Sequence, residues 1–162
     1  MKLYVLVKDY RGNDLTYRVA EPTEILDAVK TQFRLRNGQV LESPSNSKNY
    51  LIANYGARES EVFGCLWLSN THALLGTQEL FQGTIDGASV HPREVVKAAL
   101  KANAAAVILF HNHPSGNAEA STADKAITKR LQAALQLIDI RVLDHLIVAG
   151  DTVVSFAEKG IL

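Results

Sequence analysis

The chain has 162 residues, 47% hydrophobic and 21% charged, with 17 basic residues balancing 17 acidic ones. That length suits one well-buried core and is short for two ordinary domains, and the charge balance lacks the basic excess of a typical nucleic-acid binder. The single cysteine, Cys65, excludes an internal disulfide, and no apolar run approaches the ~20 residues of a membrane span. Residues Met1 to Val7 are too short for a signal peptide and are followed by charges, so a cytoplasmic location is expected.

Leu3-Tyr4-Val5-Leu6-Val7 and Leu15-Thr16-Tyr17-Arg18-Val19 flank Arg11-Gly12-Asn13-Asp14, a pattern that predicts a β-hairpin. After Pro22, Thr23 is placed to cap a helix with Ile25, Val29 and Phe33 on one face, ending near Asn37-Gly38. Lys30, Arg34 and Arg36 share this segment with Glu24 and Asp27, which reads as a solvated face. A two-stranded hairpin is marginal alone. It is expected to pack on this helix, on the main domain or on a second chain, and residues 1–42 are read as an appended hairpin and helix that modulates or docks a partner or second copy, with no chemistry of its own.

The main domain is expected from Ser43 to Leu162. Ser43 and Pro44 suit an N-cap and first helical residue, with the helix running through Tyr55 to Gly56. Val62 to Leu68 reads as an interior strand holding an inert Cys65. Residues 71–85 suggest an extended pair anchored by Leu74, Leu75, Leu80 and Phe81. A helix from Pro92 to about Asn103 is expected to bury Val95, Val96, Ala99 and Leu100. Arg141 to Val148 and Val153 to Phe156 read as two strands joined by a turn at Gly150. Helices interspersed with strands indicate an α/β domain with a mixed sheet flanked by helices.

The chemistry concentrates in one stretch. Ala104 to Phe110 is a short unbroken apolar run, read as a strand buried on both faces. If strand geometry persists through Asn112, His111 and His113 project to the same side. Pro114 stops the ladder. Downstream, Ser121 and Asp124 have the spacing of a capping box, and Ala123, Ile127, Leu131, Leu135 and Ile138 mark the helix behind it. Two histidines and one carboxylate, with a fourth position open, form a ligand set suited to a catalytic zinc, and equally to non-haem Fe(II). The bland alternatives are surface histidines and an aspartate that serves only the helix cap.

The spacing His111-x-His113, seven residues, Ser121-x-x-Asp124 resembles the JAMM signature of JAB/MPN-domain metalloproteases. The wording His111-Asn112-His113-Pro114-Ser115-Gly116 resembles the RadC-like bacterial branch. So do Glu61-Val62-Phe63, Phe81-Gln82-Gly83-Thr84, Val90-His91-Pro92-Arg93-Glu94-Val95-Val96 and Asp144-His145-Leu146-Ile147-Val148. The resemblance covers about Ser43 to Leu162. It implies a JAB/MPN fold with cytidine-deaminase-like layering and a zinc metallopeptidase or isopeptidase acting on a protein or peptide. It further implies His111, His113 and Asp124 as zinc ligands, Glu61 as general base and Ser121 as the group that polarises the scissile carbonyl.

Strand parity puts Glu59 and Glu61 on one side, so only the Glu61-Val62-Phe63 match selects Glu61. His72 and His91 read as local structure. His145 is read first as a satisfied core histidine and second as a group supporting the site from behind. The resemblance also carries two alternatives. One is a DNA-repair-associated, nucleic-acid-linked role, for which the chain offers no helix-turn-helix, zinc finger or basic arm. The other is a non-enzymatic MPN interaction module, which has no need of the full ligand set.

Overall fold

The structure, a computed structural model, describes residues 4–8, 14–32, 35–41, 43–83 and 90–162. The chain falls into two compact units, Met1–Arg34 and Leu35–Leu162.

In the first unit, β1 (Tyr4–Lys8) pairs antiparallel with β2 (Asp14–Val19), with Tyr4 opposite Val19. The expected Gly-Asn turn lies outside the described residues. Helix α1 spans Pro22–Gln32 and buries none of its residues. It starts at Pro22, so Thr23 lies inside it rather than capping it. Glu24 instead accepts from the Glu21 amide (2.9 Å) and takes both ends of the Arg18 guanidinium, at 2.8 and 2.6 Å.

The expected continuation of α1 to Asn37-Gly38 is not found: residues 35–38 are not helical. Their backbone has other partners. Gly38 N–H donates to Leu74 O (2.7 Å), Leu74 N–H to Gln39 O (2.8 Å) and Leu41 N–H to His72 O (3.1 Å). Leu35 and Leu41 pack on apolar residues of the second unit.

That unit is built on a five-stranded mixed sheet in the order β4-β3-β5-β6-β7. Its strands are β3 (Val62–Leu68), β4 (Leu74–Gln82), β5 (Ala106–Asn112), β6 (Arg141–Ala149) and β7 (Thr152–Ser155). Only the β5–β6 pair is parallel. Of residues 71–85, those that are described, 71–83, do not form an extended pair. They contribute one strand, β4, which pairs along all of β3 with two register shifts.

Alternating strand side chains feed two cores, as period-two geometry requires. On one face α2 (Pro44–Tyr55) brings Leu51 and Tyr55 onto Val62, Leu66, Phe110, Leu146 and Val148. On the other, α3 (Pro92–Lys101) and α4 (Thr122–Gln136) bring Val95, Ala99, Ile127, Leu131 and Leu135 onto Phe63, Cys65, Val107 and Leu109. In α3 the buried side chains are Val95, Ala98 and Ala99, while Leu100 is 59% exposed, contrary to the expectation for that position. The inward stripe passes through Ala98 and leaves Leu100 on the solvent side. Burial also raises the Cys65 thiol well above its ordinary pKa, in keeping with an inert packing role.

Ser43 caps α2 by accepting from Ser45 N–H (3.1 Å), with Pro44 at the first helical position. Gly56 follows α2, but its φ of −60° is right-handed. Glycine is required there by a close approach rather than by backbone conformation: a Cβ would run into the Gly150 carbonyl oxygen and lie 2.8 Å from Ile52 O. Both obstacles are backbone and have little freedom to give way. Gly56→Ala is therefore expected to lower unfolding free energy by about 1–3 kcal/mol, in the range of other overpacked substitutions. The check is a drop in urea midpoint at unchanged m-value.

Candidate metal centre

Strand β5 delivers His111 and Asn112 at its end, and His113 follows immediately. The strand is held on one side by antiparallel β3, with Phe63 opposite His111, and on the other by parallel β6, with Leu109 opposite His145. Helix α4 lies over this end and supplies Asp124 and Thr128, one turn apart and hence on one helical face. His111, Asp124, Thr128 and His145 are all buried. Phe63 stacks on the His111 ring and meets His145 edge-on, while the Phe156 ring lies 4.8 Å from His145.

His111 Nε2 lies 2.9 Å from His113 Nε2 and 3.2 Å from Asp124 Oδ1, and His113 Nε2 lies 3.7 Å from Asp124 Oδ2. Two ligands of a tetrahedral zinc at 2.0–2.2 Å from the ion stand about 3.4 Å apart, so these separations bracket the spacing such an ion needs. The ring of His113 is oriented from behind: its Nδ1 lies 2.7 Å from Asn117 O. A carbonyl only accepts, so Nδ1 carries the proton and a neutral His113 presents a bare Nε2 to the site. The donor set and its spacing fit a divalent cation.

Asp124 also serves the helix, as the capping box predicts. Its Oδ2 accepts from the Ser121 amide (2.8 Å) and the Ser121 hydroxyl (2.7 Å), and the Asp124 amide donates to Ser121 Oγ (3.1 Å). This leaves Oδ1 as the oxygen nearest His111. Burial penalises the charged carboxylate, but the hydrogen bond and charge from His111, with both Ser121 donors, outweigh it and hold Asp124 far below the usual carboxylate range. His145 is pushed well below the ordinary histidine value by burial first and the charge of His111 second, and is neutral.

Glu61 directly precedes β3. Continuing the Phe63–His111 register places it opposite His113, and it offers a carboxylate oxygen within 4.8 Å of the same histidine pair. Two acidic residues thus share that pair. Asp124 is buried, 3.2 Å from His111 and fixed by its cap, whereas Glu61 is only partly buried and lines the open cleft in front. Either carboxylate stands near enough to the histidine pair to complete a three-residue donor set. Glu59 also lines the cleft but is not part of the cluster with the histidines. The cleft has a volume of about 720 Å³. Glu59, Glu61, Glu119 and Asp124 line it, with Ser121 at its edge and no lysine or arginine among its described lining residues.

Two residues that position the site were missed from sequence. Asn112, between the histidines, points to the opposite side and clamps the segment before β3. Its Oδ1 accepts from Val62 N–H (2.8 Å), and its Nδ2 donates to Ser60 O (3.1 Å) and Arg58 O (3.4 Å). It thereby fixes the backbone on both sides of Glu61. Thr128 is the other, bonding to His145 Nδ1 and to Asp124 O, both at 2.6 Å. A polar residue at an interior strand end and a threonine on an apolar helix face were the available signals. His72 and His91 take no part in the cluster.

Replacing Asn112 with Ala leaves the buried Val62 amide without its partner. Asn112→Ala is expected to lose about 1–3 kcal/mol of stability, the cost of an unsatisfied buried polar group. It should also increase hydrogen exchange at Val62, and exchange as slow as in the wild type would contradict the clamp.

Comparison with known proteins agrees with this architecture. The family model described as RadC-like JAB domain matches residues 41–161. The UPF0758 protein of Nitrosococcus oceani is 60% identical over 128 residues, covering 79% of this chain and 57% of the relative. A UPF0758 protein of Thioalkalivibrio sulfidiphilus is 59% identical over the same length, with the same shares of each chain. One from Vibrio cholerae is 55% identical over 127 residues, covering 78% of this chain and 80% of the relative. The chain thus spans less than two thirds of the length of several of these relatives. Among the described residues, no helix is long and apolar enough to cross a membrane. The matched residues enclose the whole sheet from β3 to β7 together with the histidine–carboxylate cluster, and the chain belongs to the RadC-like JAB domain family.

Proposed function

We propose that this chain is a zinc-dependent metallohydrolase that cleaves an amide bond in a protein or peptide. The observation that carries the reading is the meeting of His111 Nε2, His113 Nε2 and the Asp124 carboxylate at the floor of a cleft that Glu61 also lines. His111, His113 and Asp124 would hold the ion, and when bound it supplies Lewis-acid polarisation and lowers the pKa of water to roughly 7. Two imidazoles, one carboxylate and an open position suit zinc and iron alike, and zinc is preferred because the JAMM spacing resembles that of zinc metalloproteases.

The remaining steps belong to the chain. Glu61 accepts the proton of the attacking water at its carboxylate and returns it to the departing amine nitrogen. Its place at the cleft, on backbone fixed by Asn112, supports that role. Ser121 is exposed at the cleft edge and sits at the N-terminus of α4, where amide dipoles favour negative charge. Its hydroxyl proton lies on Asp124 Oδ2 in the resting arrangement, so assisting the carbonyl oxygen requires the hydroxyl to turn toward substrate.

Elemental analysis and peptide hydrolysis test this together. The wild type is expected to carry close to one zinc per chain, and His113→Ala and Asp124→Ala to lose it, with affinity reduced by more than the ~100-fold typical of changes behind a ligand. Glu61→Gln is expected to keep zinc but to lose at least about 100-fold in cleavage of a mixed fluorogenic peptide library, the scale of a lost general base. Stoichiometric iron without zinc would overturn the metal assignment. Full hydrolysis by Glu61→Gln would overturn the mechanism.

A further inference from the structure

Behind the candidate metal centre runs a second set of hydrogen bonds that the JAMM spacing does not include. Thr128 Oγ1 donates to the Asp124 main-chain carbonyl at 2.6 Å and lies 2.6 Å from His145 Nδ1. His145 Nε2 in turn lies 2.8 Å from His111 Nδ1. All four residues are buried, so none of these partners is exchanged for water.

The proton directions follow from the inventory of donors. A carbonyl oxygen only accepts, so the one hydroxyl proton of Thr128 goes to Asp124 O. Thr128 Oγ1 is then an acceptor toward His145, whose Nδ1 carries the proton. The Nδ1–H tautomer of His145 has a bare Nε2, which faces His111 Nδ1 at 2.8 Å. That Nε2 accepts from His111 Nδ1–H. His111 is left with its lone pair on Nε2, pointing at His113 and Asp124. Were the chain reversed, with Thr128 donating to His145, His111 would carry its proton on Nε2 and have no lone pair for a cation.

We propose that Thr128 and His145 are positioning residues: by a chain of hydrogen bonds anchored on the Asp124 carbonyl, they hold His111 as the Nδ1–H tautomer, with Nε2 free to ligate. The proposal rests on the reading of His111 as a metal ligand. It assigns Asp124 two roles from one residue, its carboxylate facing the site and its carbonyl setting the proton on the neighbouring ligand. Asn117 O does the same for His113 in a single step, because His113 lies at the strand end where a loop carbonyl can reach it. His111 lies inside the sheet, where a relay through β6 and α4 is needed.

The test reads the ring protons directly. In metal-free protein labelled with ¹⁵N at histidine, long-range ¹H–¹⁵N spectra are expected to show Nδ1 of both His111 and His145 protonated. Thr128→Val removes the acceptor while keeping the shape. His145 should then move its proton to Nε2, His111 should follow, and zinc affinity measured against a chelator should fall on the order of 10–100-fold. Thr128→Ser, which restores the hydroxyl, should recover both readouts.

A Thr128→Val protein with the wild-type tautomers and wild-type zinc affinity would overturn the proposal. So would a wild-type His111 whose Nδ1 carries no proton, a measurement that needs no substitution and survives any failure of the variant to fold. If the wild type shows the expected ring protons but takes up no zinc, the relay stands and the metal-centre reading falls.

Discussion

The placement of every group at the site depends on the pairing of β5 with an antiparallel strand on one side and a parallel strand on the other. The antiparallel register with β3 sets Phe63 against His111 and brings the residue before β3, Glu61, to the same end of the sheet. The parallel register with β6 sets His145 beside that end, opposite Leu109 and so two residues behind His111. A slip of one residue in either ladder would turn His111 toward the α2 face and exchange it with Asn112. The two cores on either face of β5 oppose such a slip, because it would also expose Val107 and Leu109 to the wrong partners. Hydrophobic packing along the strand thus fixes where its polar end points.

Much of this could be read in the sequence, and for a specific reason. The apolar run before His111 and the Ser121/Asp124 capping box are local signals, each set by neighbours within a turn or a strand. Strand β5 and helix α4 accordingly lie where their patterns place them, with Ser121 as cap and Ile127, Leu131 and Leu135 inward. The same holds for Ser43-Pro44 at the start of α2. The family wording then linked Glu61 to a site 50 residues away, a connection that no periodicity contains.

What could not be read depends on contacts distant in sequence. Asn112 carries no local sign that it will bind Val62, Ser60 and Arg58; only the β3–β5 pairing brings them together. Thr128 sits on a helix face whose other members are apolar, and a threonine there is ordinary until β6 sets His145 against it. Gly56 looks like a helix-ending glycine, yet its requirement comes from Gly150 in a turn nearly a hundred residues on. The end of α1 was misjudged for the same reason. The helix was expected to reach Asn37-Gly38, but residues 38–41 are instead held by backbone bonds to residues 72–74. Likewise β4 is a single strand because β3 offers a partner along its whole length.

Three acceptor groups that approach one another within 4 Å, two of them buried, oppose each other electrostatically unless a cation or a proton lies among them. The chain sustains this arrangement by securing each group from outside the cluster. Asp124 is held by the Ser121 cap, His113 by Asn117 O, and His111 by His145. None of these supports is supplied by the groups it brings together, so the cluster keeps its geometry through bonds to the surrounding sheet and helix. The cap on α4 offers the clearest case, because its usual stabilising effect of about 1 kcal/mol would follow from any suitable acidic side chain at that position. Here the capping aspartate also turns Oδ1 toward His111, while Oδ2 lies 3.7 Å from His113 Nε2. A cation entering the cluster therefore meets ligands already held in place, and its binding energy need not be spent on ordering them.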